Sequence, residues 1–450
     1  MVGARHMLTG NATAAWGARL AEVDYVPAFP ITPQTEIIED LAAWFAEGKM
    51  RGKFVTMDSE HSMLMAAGAA AATGCRVFTA TSSQGLLYGL EALWTVAGWR
   101  VPLVLVNVSR ALAAPITLEP DHNDVLAARD SGCLQIHCET CQEVLDSILL
   151  ACRIAEDSRV LLPAIVNMDG FYLSFTREPV EIPSIEQVRK FLPPYRPTHA
   201  EFRASRPTAQ GVAVLGGAMY SHFRYQMHLA ARNALAVHGE AATRFAQVFD
   251  RRYAAIESYE LADANTVLVM AGSFATKAKA AIRVLRQEGK RVGLVRLRLV
   301  RPFPTAEIVQ ALAGRRAVGV IDQNLSIGLG GIFYQELAGA LAGSSDRPPI
   351  LRSFIGGLGG KDISLDEFRH VVEVLERDDK QSTPSGPELL FTESDWKQTE
   401  WLIAQAQLPS QLNGEPPASV SEPMSARARS PVQCGQTNEA QRGWSYESHT

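Results

Sequence analysis

The sequence predicts an α/β fold with two successive parallel-sheet regions. Amphipathic helices alternate with short runs of β-branched and other apolar residues along most of the chain, a pattern typical of parallel sheets with helices on both faces. The chain has 450 residues, enough for two or three domains. Hydrophobic residues make up 47% and charged residues 20% of it, as in an ordinary globular protein.

The first region is predicted to extend over residues 7–190. Its helices are expected in NATAAWGARLAEV, TEIIEDLAAWFAEG, EHSMLMAAGAAAATG, QGLLYGLEALWTVAGW and CETCQEVLDSILLACRIAED. Short strands are expected in YVPAF, KFVTMDS and RVFTATSS. The most apolar strands, VPLVLVNVSR and RVLLPAIVNMD, suit buried parallel positions in the middle of a sheet.

A linker with one long helix is predicted for residues 191–262. It begins in the Pro-rich segment EPVEIPSIEQVRKFLPPYRPTHAEF, which we expect to be extended on the surface, and its helix is expected over 223–237. A second α/β region is predicted for residues 263–380, with strands in NTVLVMAGS, KRVGLVRLRLVRPFP and RAVGVIDQN. One more helix is expected in DWKQTEWLIAQAQL, and residues 409–450, rich in Ser, Pro, Gln and Glu, are predicted to be disordered.

Charge and hydropathy exclude several classes of partner. The formal net charge of −5 gives no electrostatic reason to expect nucleic acid or an anionic membrane. No apolar run approaches the roughly 18–20 residues that a membrane span needs. The first residues, MVGARHMLTGNATAAWG, contain no apolar signal-peptide core. We therefore expect a cytoplasmic protein.

The six cysteines do not form a disulfide framework in a chain of this length. Cys138 and Cys141 have C-x-x-C spacing, but no further ligands follow at the spacing of a zinc site or an iron–sulfur cluster. We expect these two residues to be small side chains at the start of a helix, and we predict no metal site in this chain.

Two loops at predicted strand ends carry candidate site residues, because open α/β sheets bind ligands at the carboxyl ends of their strands. In AFPITPQTE two prolines place Thr32 at the tip of a turn; the alternative is that Thr32 or Thr35 caps the next helix. In DSEHSM, Ser59 is the expected helix cap and Glu60 the first helical residue. First-turn Glu is usually a surface residue, but the apolar flanks predict that Glu60 is at least half buried and needs a partner.

Two further loops complete the candidate site. In TATSSQGL, polar residues including Ser83 and Gln84 crowd the turn before a helix and suit ligand binding. Arg110 ends an otherwise apolar strand. Its planar guanidinium suits bidentate binding of a carboxylate; the alternative is an ordinary solvated arginine.

The remaining motifs predict structure rather than a binding site. Asp121, His122 and Asp124 lack metal-ligand spacing, so we expect a hydrogen-bond network that stabilises their loop. GGLGGKD at residues 356–362 is not a P-loop, since Asp follows its lysine in place of Ser or Thr. No G-x-G-x-x-G opens a helix after a strand.

Taken in order, these segments resemble a known family. FPITP, DSEHSMLMAAGAAAATG, TATSSQGL, AGWRVPLVLVNVSRALAAP, DHNDVLAARDSG and DGF are followed by FRYQMHLAARNA, VLVMAGS, GLVRLRLVRPFP and IGGLGGKD. Over roughly residues 7–375 the chain resembles the alpha subunit of pyruvate:ferredoxin oxidoreductases, within the 2-oxoacid:acceptor oxidoreductase family.

The resemblance implies a fold and a set of site residues. The first region is implied to be a pyrimidine-type domain that binds thiamine diphosphate, and the second a domain like the C-terminal domain of transketolase. Glu60 matches the residue that hydrogen-bonds N1′ of the aminopyrimidine, and Ser83 and Gln84 are expected to contact the same cofactor. Thr32 and Arg110 match the residues that hold the substrate carboxylate.

The resemblance also implies a reaction and partner chains. A 2-oxoacid is oxidatively decarboxylated to acyl-CoA and CO2, with coenzyme A as co-substrate and with electrons passing to iron–sulfur clusters. Thiamine diphosphate also needs a G-D-G motif for Mg²⁺ and the diphosphate, and here Met168-Asp169-Gly170 is the nearest match. Mg²⁺ and [4Fe-4S] clusters are therefore expected on partners: a beta subunit with the diphosphate site, gamma and ferredoxin-like delta subunits, and, where NAD is the acceptor, an NAD-reducing subunit.

Two departures from the family pattern bear on the substrate. Phe175 follows Ser174 where the family often has His, and Glu119-Pro120 stands where pyruvate-type chains usually have Trp before Asp-His. The predicted substrate is therefore pyruvate or an aryl glyoxylate such as phenylglyoxylate, with ferredoxin or NAD as final acceptor. The alternative is a thiamine-dependent transketolase-like or dehydrogenase subunit without iron–sulfur chemistry. A non-enzymatic assembly protein is disfavoured because Glu60, Thr32 and Arg110 are all present.

Overall fold

The α/β class is confirmed by a computed structural model, which describes residues 4–197, 201–377 and 386–407. Residues up to Leu390 belong to one unit and those from Phe391 to a second. The predicted disordered tail, residues 409–450, lies outside the described residues. Within the described ranges, no helix combines the length and the apolar character needed to cross a membrane.

The described residues 4–197 form eight strands and eight helices. The strands are β1 (Ala4–Thr9), β2 (Tyr25–Ala28), β3 (Lys53–Thr56), β4 (Phe78–Thr81), β5 (Val104–Ser109), β6 (Leu134–His137), β7 (Ala164–Asp169) and β8 (Arg177–Ile182). The helices are α1 (Gly10–Leu20), α2 (Thr35–Ala46), α3 (Glu60–Ala72), α4 (Ser83–Tyr88), α5 (Leu90–Trp99), α6 (Asn123–Ala127), α7 (Cys141–Ala155) and α8 (Ile185–Phe191).

The rest of the chain continues the alternation. Its strands are β9 (Ile256–Tyr259), β10 (Thr266–Met270), β11 (Val292–Leu297), β12 (Leu299–Arg301), β13 (Ala317–Asp322), β14 (Ile350–Ile355) and β15 (Glu388–Leu389). Its helices are α9 (Gly217–Phe249), α10 (Phe274–Gln287), α11 (Thr305–Leu312), α12 (Ile332–Leu341), α13 (Leu365–Arg377) and α14 (Glu393–Gln407), with a short 3-10 turn at Leu358–Gly360.

Two parallel sheets form the framework. In the first, β4, β5, β7 and β6 are parallel neighbours, and an isolated parallel bridge from Tyr25 to Val77 joins the β2–β3 pair to the β4 side. In the second, the order is β15-β14-β13-β10-β11-β9, and β9 alone is antiparallel to its neighbour. Every residue of β5, β7, β10 and β13 is buried, as predicted for strands covered by helices on both faces.

One strand of the later sequence completes the first sheet. β12 pairs antiparallel with β6, with Leu299 opposite Ile136, and so forms the edge of the first sheet although it follows β11 of the second. Residues of both sheets also share one hydrophobic cluster, which includes Leu105 of β5 and Val267 of β10. The two sheets are therefore parts of one packed structure.

A buried ionic cluster links α7 to the second sheet. Glu143 of α7 accepts hydrogen bonds from both terminal nitrogens of Arg296 of β11, each at 3.0 Å. Arg298, which is 1% exposed, donates to the same carboxylate and, at 2.8 Å, to Ser147 of α7. Buried charges of this kind are tolerated because each is paired and hydrogen-bonded.

Several sequence predictions need correction. The Pro-rich segment after residue 177 is not an extended linker: β8 pairs antiparallel with β1, and α8 begins with a Ser184 capping box. Pro179 lies inside β8, opposite Met7, in a two-stranded sheet, and prolines are tolerated in such edge strands where no ladder hydrogen bond is required of their nitrogen. The helix predicted over 223–237 is instead 33 residues long, from Gly217 to Phe249. The domain boundaries remain predictions.

The prediction for the last helix is confirmed, and the prediction that both cysteines open a helix is correct for Cys141 but not for Cys138, which lies before the helix cap Thr140. Cys138 follows β6 and Cys141 opens α7, and both are fully buried. Burial raises the pKa of the Cys138 thiol to about 12, so it stays protonated at neutral pH. In the second unit, α14 covers the predicted DWKQTEWLIAQAQL helix, and Thr392 and Asp395 hydrogen-bond each other at its start.

Candidate active site

The loops that follow β2, β3, β4 and β5 meet at the carboxyl edge of the first sheet. They carry the predicted site residues Thr32, Glu60, Ser83–Gln84 and Arg110 respectively. Direct contacts join three of these loops: Arg110 bonds Thr32 and Gln84, and Ser83 bonds Gln84. The prediction that these segments form one site is therefore supported by geometry, while the role of each residue stays a prediction.

Glu60 is a buried carboxylate at the start of α3. The Ser59 side chain accepts a hydrogen bond from the Ser62 amide at 3.2 Å, which confirms the predicted cap. Glu60 is 6% exposed, as its apolar flanks predicted. Among the residues that the structure describes, none forms a hydrogen bond or ion pair with its side chain. A buried acid without a protein partner is costly, so a ligand donor is the expected partner.

Gly85 leaves room for the Glu60 carboxylate. A Cβ atom at this position would lie 2.4 Å from Glu60 Oε1 and 2.7 Å from Thr81 Oγ1. Both distances are far below van der Waals contact, so any larger residue would have to displace the acid. Sequence reasoning missed this glycine, although its position between the SSQ turn and an apolar helix was visible.

Arg110 is held at both terminal nitrogens. Its Nη1 donates to the Thr32 carbonyl at 2.7 Å and its Nη2 donates to Gln84 Oε1 at 2.7 Å. Its Nε is buried and has no hydrogen-bond partner in the described part of the chain. A guanidinium carries five N–H donors, so donors remain for an anionic ligand. Arg110 is half-buried, and its role as a carboxylate-binding residue stays a prediction.

The contacts around the Thr32 loop contradict the alternative that Thr32 or Thr35 caps helix α2. Helix α2 begins after Gln34, whose side chain makes no cap bond and instead donates to the Phe29 carbonyl at 2.8 Å. The prediction that Thr32 or Thr35 caps this helix is therefore wrong. Asn11 of α1, which sequence reasoning missed, donates to the Pro33 carbonyl at 2.8 Å and fixes the loop from below.

Asp124 lies beneath the Ser83 and Arg110 loops and is fully buried. Its carboxylate accepts the Ser83 amide at 3.0 Å and the Arg110 amide at 3.2 Å. Burial raises the pKa of this carboxyl, although hydrogen bonds from Asn107, Ser109 and the Arg110 amide oppose the rise. The predicted hydrogen-bond network around Asp124 is therefore present.

His122 and Asp169 form a buried ion pair at the same edge. His122 Nε2 lies 2.7 Å from Asp169 Oδ1, and the Ser273 amide and hydroxyl donate to Asp169 Oδ2 at 2.7 Å and 2.6 Å. Burial alone lowers the pKa of His122, but the Asp169 charge raises it on balance. Burial likewise raises and His122 lowers the pKa of Asp169, which ends below its usual value. Both oxygens of the Asp169 carboxylate are thus engaged within the protein.

The two departures noted in the sequence lie at the edge of the site region. Phe175 stacks on Phe171, with ring centroids 5.0 Å apart and an angle of 19° between planes. The Glu119 carbonyl accepts the Ala111 amide at 3.0 Å, which closes the loop that follows Arg110. Both residues therefore shape loops next to Arg110 and Asp169. In the described ranges no three His, Cys, Asp or Glu side chains are grouped as metal ligands.

Two family models match the chain. Residues 16–243 match the model described as pyruvate flavodoxin/ferredoxin oxidoreductase, thiamine diphosphate-binding, and residues 264–368 match pyruvate:ferredoxin oxidoreductase core domain II. The chain is 42% identical over 380 residues to pyruvate synthase subunit PorA of Methanocaldococcus jannaschii, covering 84% of this chain and 96% of that one.

The names of other similar proteins specify different 2-oxoacids. The ketoisovalerate oxidoreductase subunit VorA of Pyrococcus horikoshii is 38% identical, with 83% of this chain and 94% of that one covered. A solved 2-oxoglutarate:ferredoxin oxidoreductase from Magnetococcus marinus, with 2-oxoglutarate, coenzyme A and succinyl-CoA bound, aligns with a TM-score of 0.61 and 19% identity. That alignment covers 83% of this chain but 65% of the solved one, and it shows the fold alone.

Proposed function

The chain belongs to the pyruvate flavodoxin/ferredoxin oxidoreductase family, and from this premise we propose that it is the alpha subunit of a multisubunit 2-oxoacid oxidoreductase. In this proposal the assembled enzyme oxidatively decarboxylates a 2-oxoacid to acyl-CoA and CO2, with coenzyme A as co-substrate. The chain contributes the aminopyrimidine side of a thiamine diphosphate site and the site for the substrate carboxylate. Partner chains contribute the remaining parts of the active site.

The unpartnered, buried Glu60 carboxylate is the observation that carries the proposal. It lies next to the space that Gly85 leaves open, and it needs a donor that the described protein residues do not supply. A protonated aminopyrimidine nitrogen is such a donor, so the residues present fit thiamine diphosphate. When bound, this cofactor supplies the electron sink for decarboxylation.

The chain's own residues bind and orient the reactants. Glu60 holds a proton at N1′ of the pyrimidine, and Ser83 and Gln84 line the same pocket. Arg110 uses the guanidinium donors that Thr32 and Gln84 leave free to hold the substrate carboxylate. The Thr32 carbonyl and Gln84 keep that guanidinium in one orientation, so the 2-oxoacid is presented in a fixed direction.

Mg²⁺, the diphosphate and the [4Fe-4S] clusters are proposed to lie on partner chains. The sequence contains no G-D-G motif, and the nearest match uses both Asp169 oxygens for His122 and Ser273. The name of the similar archaeal chain, a subunit of pyruvate synthase, supports a multisubunit enzyme. We propose beta, gamma and ferredoxin-like delta partners.

The substrate is proposed to be pyruvate, because similar chains that are 40–42% identical to this one are pyruvate synthase subunits. Phenylglyoxylate and ketoisovalerate are the competing substrates, the first because of the loop departures at Glu119 and Phe175 and the second because of the VorA similarity. Ferredoxin is the proposed acceptor, and NAD, through a further subunit, is the alternative.

A substrate and acceptor screen of the native complex tests this function. Pyruvate, ketoisovalerate, phenylglyoxylate and 2-oxoglutarate are each supplied with coenzyme A and either ferredoxin or NAD, and CO2 release and acceptor reduction are measured. We expect turnover that depends on coenzyme A, is fastest with pyruvate and ferredoxin, and requires the partner chains. Turnover by this chain alone would contradict the shared active site. A complex without visible iron–sulfur absorbance would contradict the proposed electron path.

Replacing Gly85 with Ala is expected to weaken thiamine diphosphate binding by about 10-fold or more, a loss of about 1.4 kcal/mol. The new methyl group would lie within 2.4 Å of Glu60 Oε1 and would push this flexible carboxylate away from the pyrimidine. The measurement is a cofactor titration of the apo complex.

Gly98→Ala is the matched control for this substitution. Gly98 lies in α5, where a Cβ would meet nothing within 4 Å. Its replacement should leave the cofactor affinity unchanged and slightly favour the helix. Equal cofactor affinities of the two variants would mean that the position of the Glu60 carboxylate does not affect cofactor binding.

A further inference from the structure

We propose that Asp124 is a positioning residue for the site, since its one carboxylate fixes both the loop that carries Ser83 and Gln84 and the loop that carries Arg110. This inference rests on the proposed function, because it concerns the same substrate-carboxylate site. Asp124 itself lies below that site, at 0% exposure, on the short helix α6.

The Asp124 carboxylate is saturated with donors. Its Oδ2 accepts three hydrogen bonds and its Oδ1 accepts two. The five donors are the Ser83 amide (3.0 Å), the Arg110 amide (3.2 Å), Asn107 Nδ2 (3.1 Å), the Ser109 hydroxyl (2.8 Å) and the Val125 amide (2.6 Å).

The first loop needs this support because Ser83 has a left-handed backbone conformation. Its φ angle is +49°, which non-glycine residues adopt only where the surroundings hold them there. The bond from its amide to Asp124 is such a restraint. The conformation of Ser83 places Gln84 against Arg110 and places Gly85 against Glu60.

The second loop is fixed at the same oxygen. Asp124 Oδ2 accepts the Arg110 amide, while Gln84 and the Thr32 carbonyl accept from the Arg110 side chain. The backbone of Arg110 and one of the two groups that orient its guanidinium therefore depend on one carboxylate. Asn167 holds two of the Asp124 donors in place, because its Oδ1 accepts hydrogen bonds from Asn107 at 2.8 Å and from Ser109 at 3.0 Å.

An amide cannot replace this carboxylate. If the side chain of an Asp124→Asn variant turned its NH2 group toward the Oδ1 position, the Ser109 hydroxyl would have to accept from it and donate to Asn167 alone, and the Val125 amide would lose its acceptor. In the opposite orientation the NH2 group would face three donors, which are the Ser83 amide, the Arg110 amide and Asn107 Nδ2. An ionised carboxylate accepts at all of these positions, whereas the amide nitrogen accepts at none.

The test is Asp124→Asn in the full complex. We expect the KM for the 2-oxoacid to rise by about 10-fold to 100-fold, the factor expected for a lost hydrogen bond to a charged group, with a smaller change in kcat. Hydrogen–deuterium exchange should become faster in peptides that contain residues 82–86 and 109–112. The exchange measurement does not require turnover, so it tests the positioning role of Asp124 even in a complex that oxidises no 2-oxoacid. A complex without such activity would contradict the proposed function but not the positioning role.

Asp146→Asn is the matched control. Asp146 is also fully buried and hydrogen-bonded, to Arg251 and Tyr253, but it lies on α7 away from the site. Its replacement should lower stability without changing the KM or the exchange of the two peptides. If Asp124→Asn does not assemble, Ser109→Ala removes one donor to the same carboxylate and should move both readouts in the same direction by about 3-fold. Unchanged KM and exchange in an assembled Asp124→Asn or Ser109→Ala complex would overturn the proposal.

Discussion

Replacing Glu60 with Gln is expected to lower kcat of the assembled enzyme by about 100-fold to 10,000-fold, the range typical of losing a positioned proton-transfer group. The substitution preserves the shape of the side chain beside Gly85 but removes the charge that favours a proton on the pyrimidine nitrogen. The glutamine fits the same buried space, so folding and assembly should be retained. The measurement is the steady-state rate of acceptor reduction with saturating 2-oxoacid and coenzyme A.

Glu91→Gln is the control for this prediction. Glu91 lies on α5, pairs with His61 at the surface, and its side chain is 72% exposed. Its replacement should leave kcat within about 2-fold of wild type, as surface substitutions usually do. A cofactor titration of the Glu60 variant separates weaker binding from slower chemistry. If the Glu60 variant turned over as fast as the Glu91 variant, Glu60 would have no role in the reaction.

Replacing Glu143 with Gln is expected to lower the free energy of unfolding by about 3–5 kcal/mol, the cost of leaving buried charges without their partner. Arg296 and Arg298 both donate to this carboxylate, and both are almost completely buried. The variant would place both arginines against a neutral amide, although Arg296 would keep the Glu257 carboxylate at 2.6 Å, so the loss falls mainly on Arg298. Urea unfolding of the full chain, followed by circular dichroism, measures the difference.

The difference in the free energy of unfolding between wild type and the Glu143→Gln variant should decrease as the pH falls. Burial alone raises the pKa of Glu143, but the charges of Arg296 and Arg298 bring it down to about 2. The folded value is below the unfolded value of about 4.3. The stabilisation is therefore complete above that unfolded value and is lost as the pH falls toward 2. Wild type and variant should thus converge in acid.

An exposed ion pair provides the comparison for Glu143. Glu240 and Arg159 are bonded at 2.7 Å, with side chains 60% and 46% exposed. Glu240→Gln should lower the free energy of unfolding much less than Glu143→Gln does, since solvent screens such pairs. Equal losses for the two substitutions would show that burial of the Glu143 cluster adds nothing to its contribution.

The sequence was sufficient to predict features that depend on local pattern. The apolar runs of β5, β7, β10 and β13 were recognisable because strands buried on both faces need nearly continuous apolar residues. The Ser59 cap and the burial of Glu60 followed from residues adjacent in the chain. The matching family models confirm the predicted family, with a thiamine-diphosphate-binding first region.

Features that depend on distant pairing were not predictable in this way. Pro179 of β8 and the prolines after it suggested a linker, and the strand that pairs with β8, β1, was not recognisable because it lies at the opposite end of the first region. The role of Asp124 as a common acceptor arises only when the ends of β4 and β5 are brought side by side. Its sequence context indicated a stabilising network but not which loops that network joins. The roles of Glu60, Thr32, Ser83, Gln84 and Arg110 remain predictions that the variants above will decide.

The pairing of β12 with β6 limits where the polypeptide can be divided into separately expressed fragments. A fragment ending between the two α/β regions would contain β6 without its antiparallel neighbour. The fully buried strand β6 would then become the edge of the sheet in place of the three-residue β12, and a longer apolar edge strand favours aggregation. The first region is therefore not a transferable module, and fusions or split versions of this subunit must keep the segment through Arg301 with it.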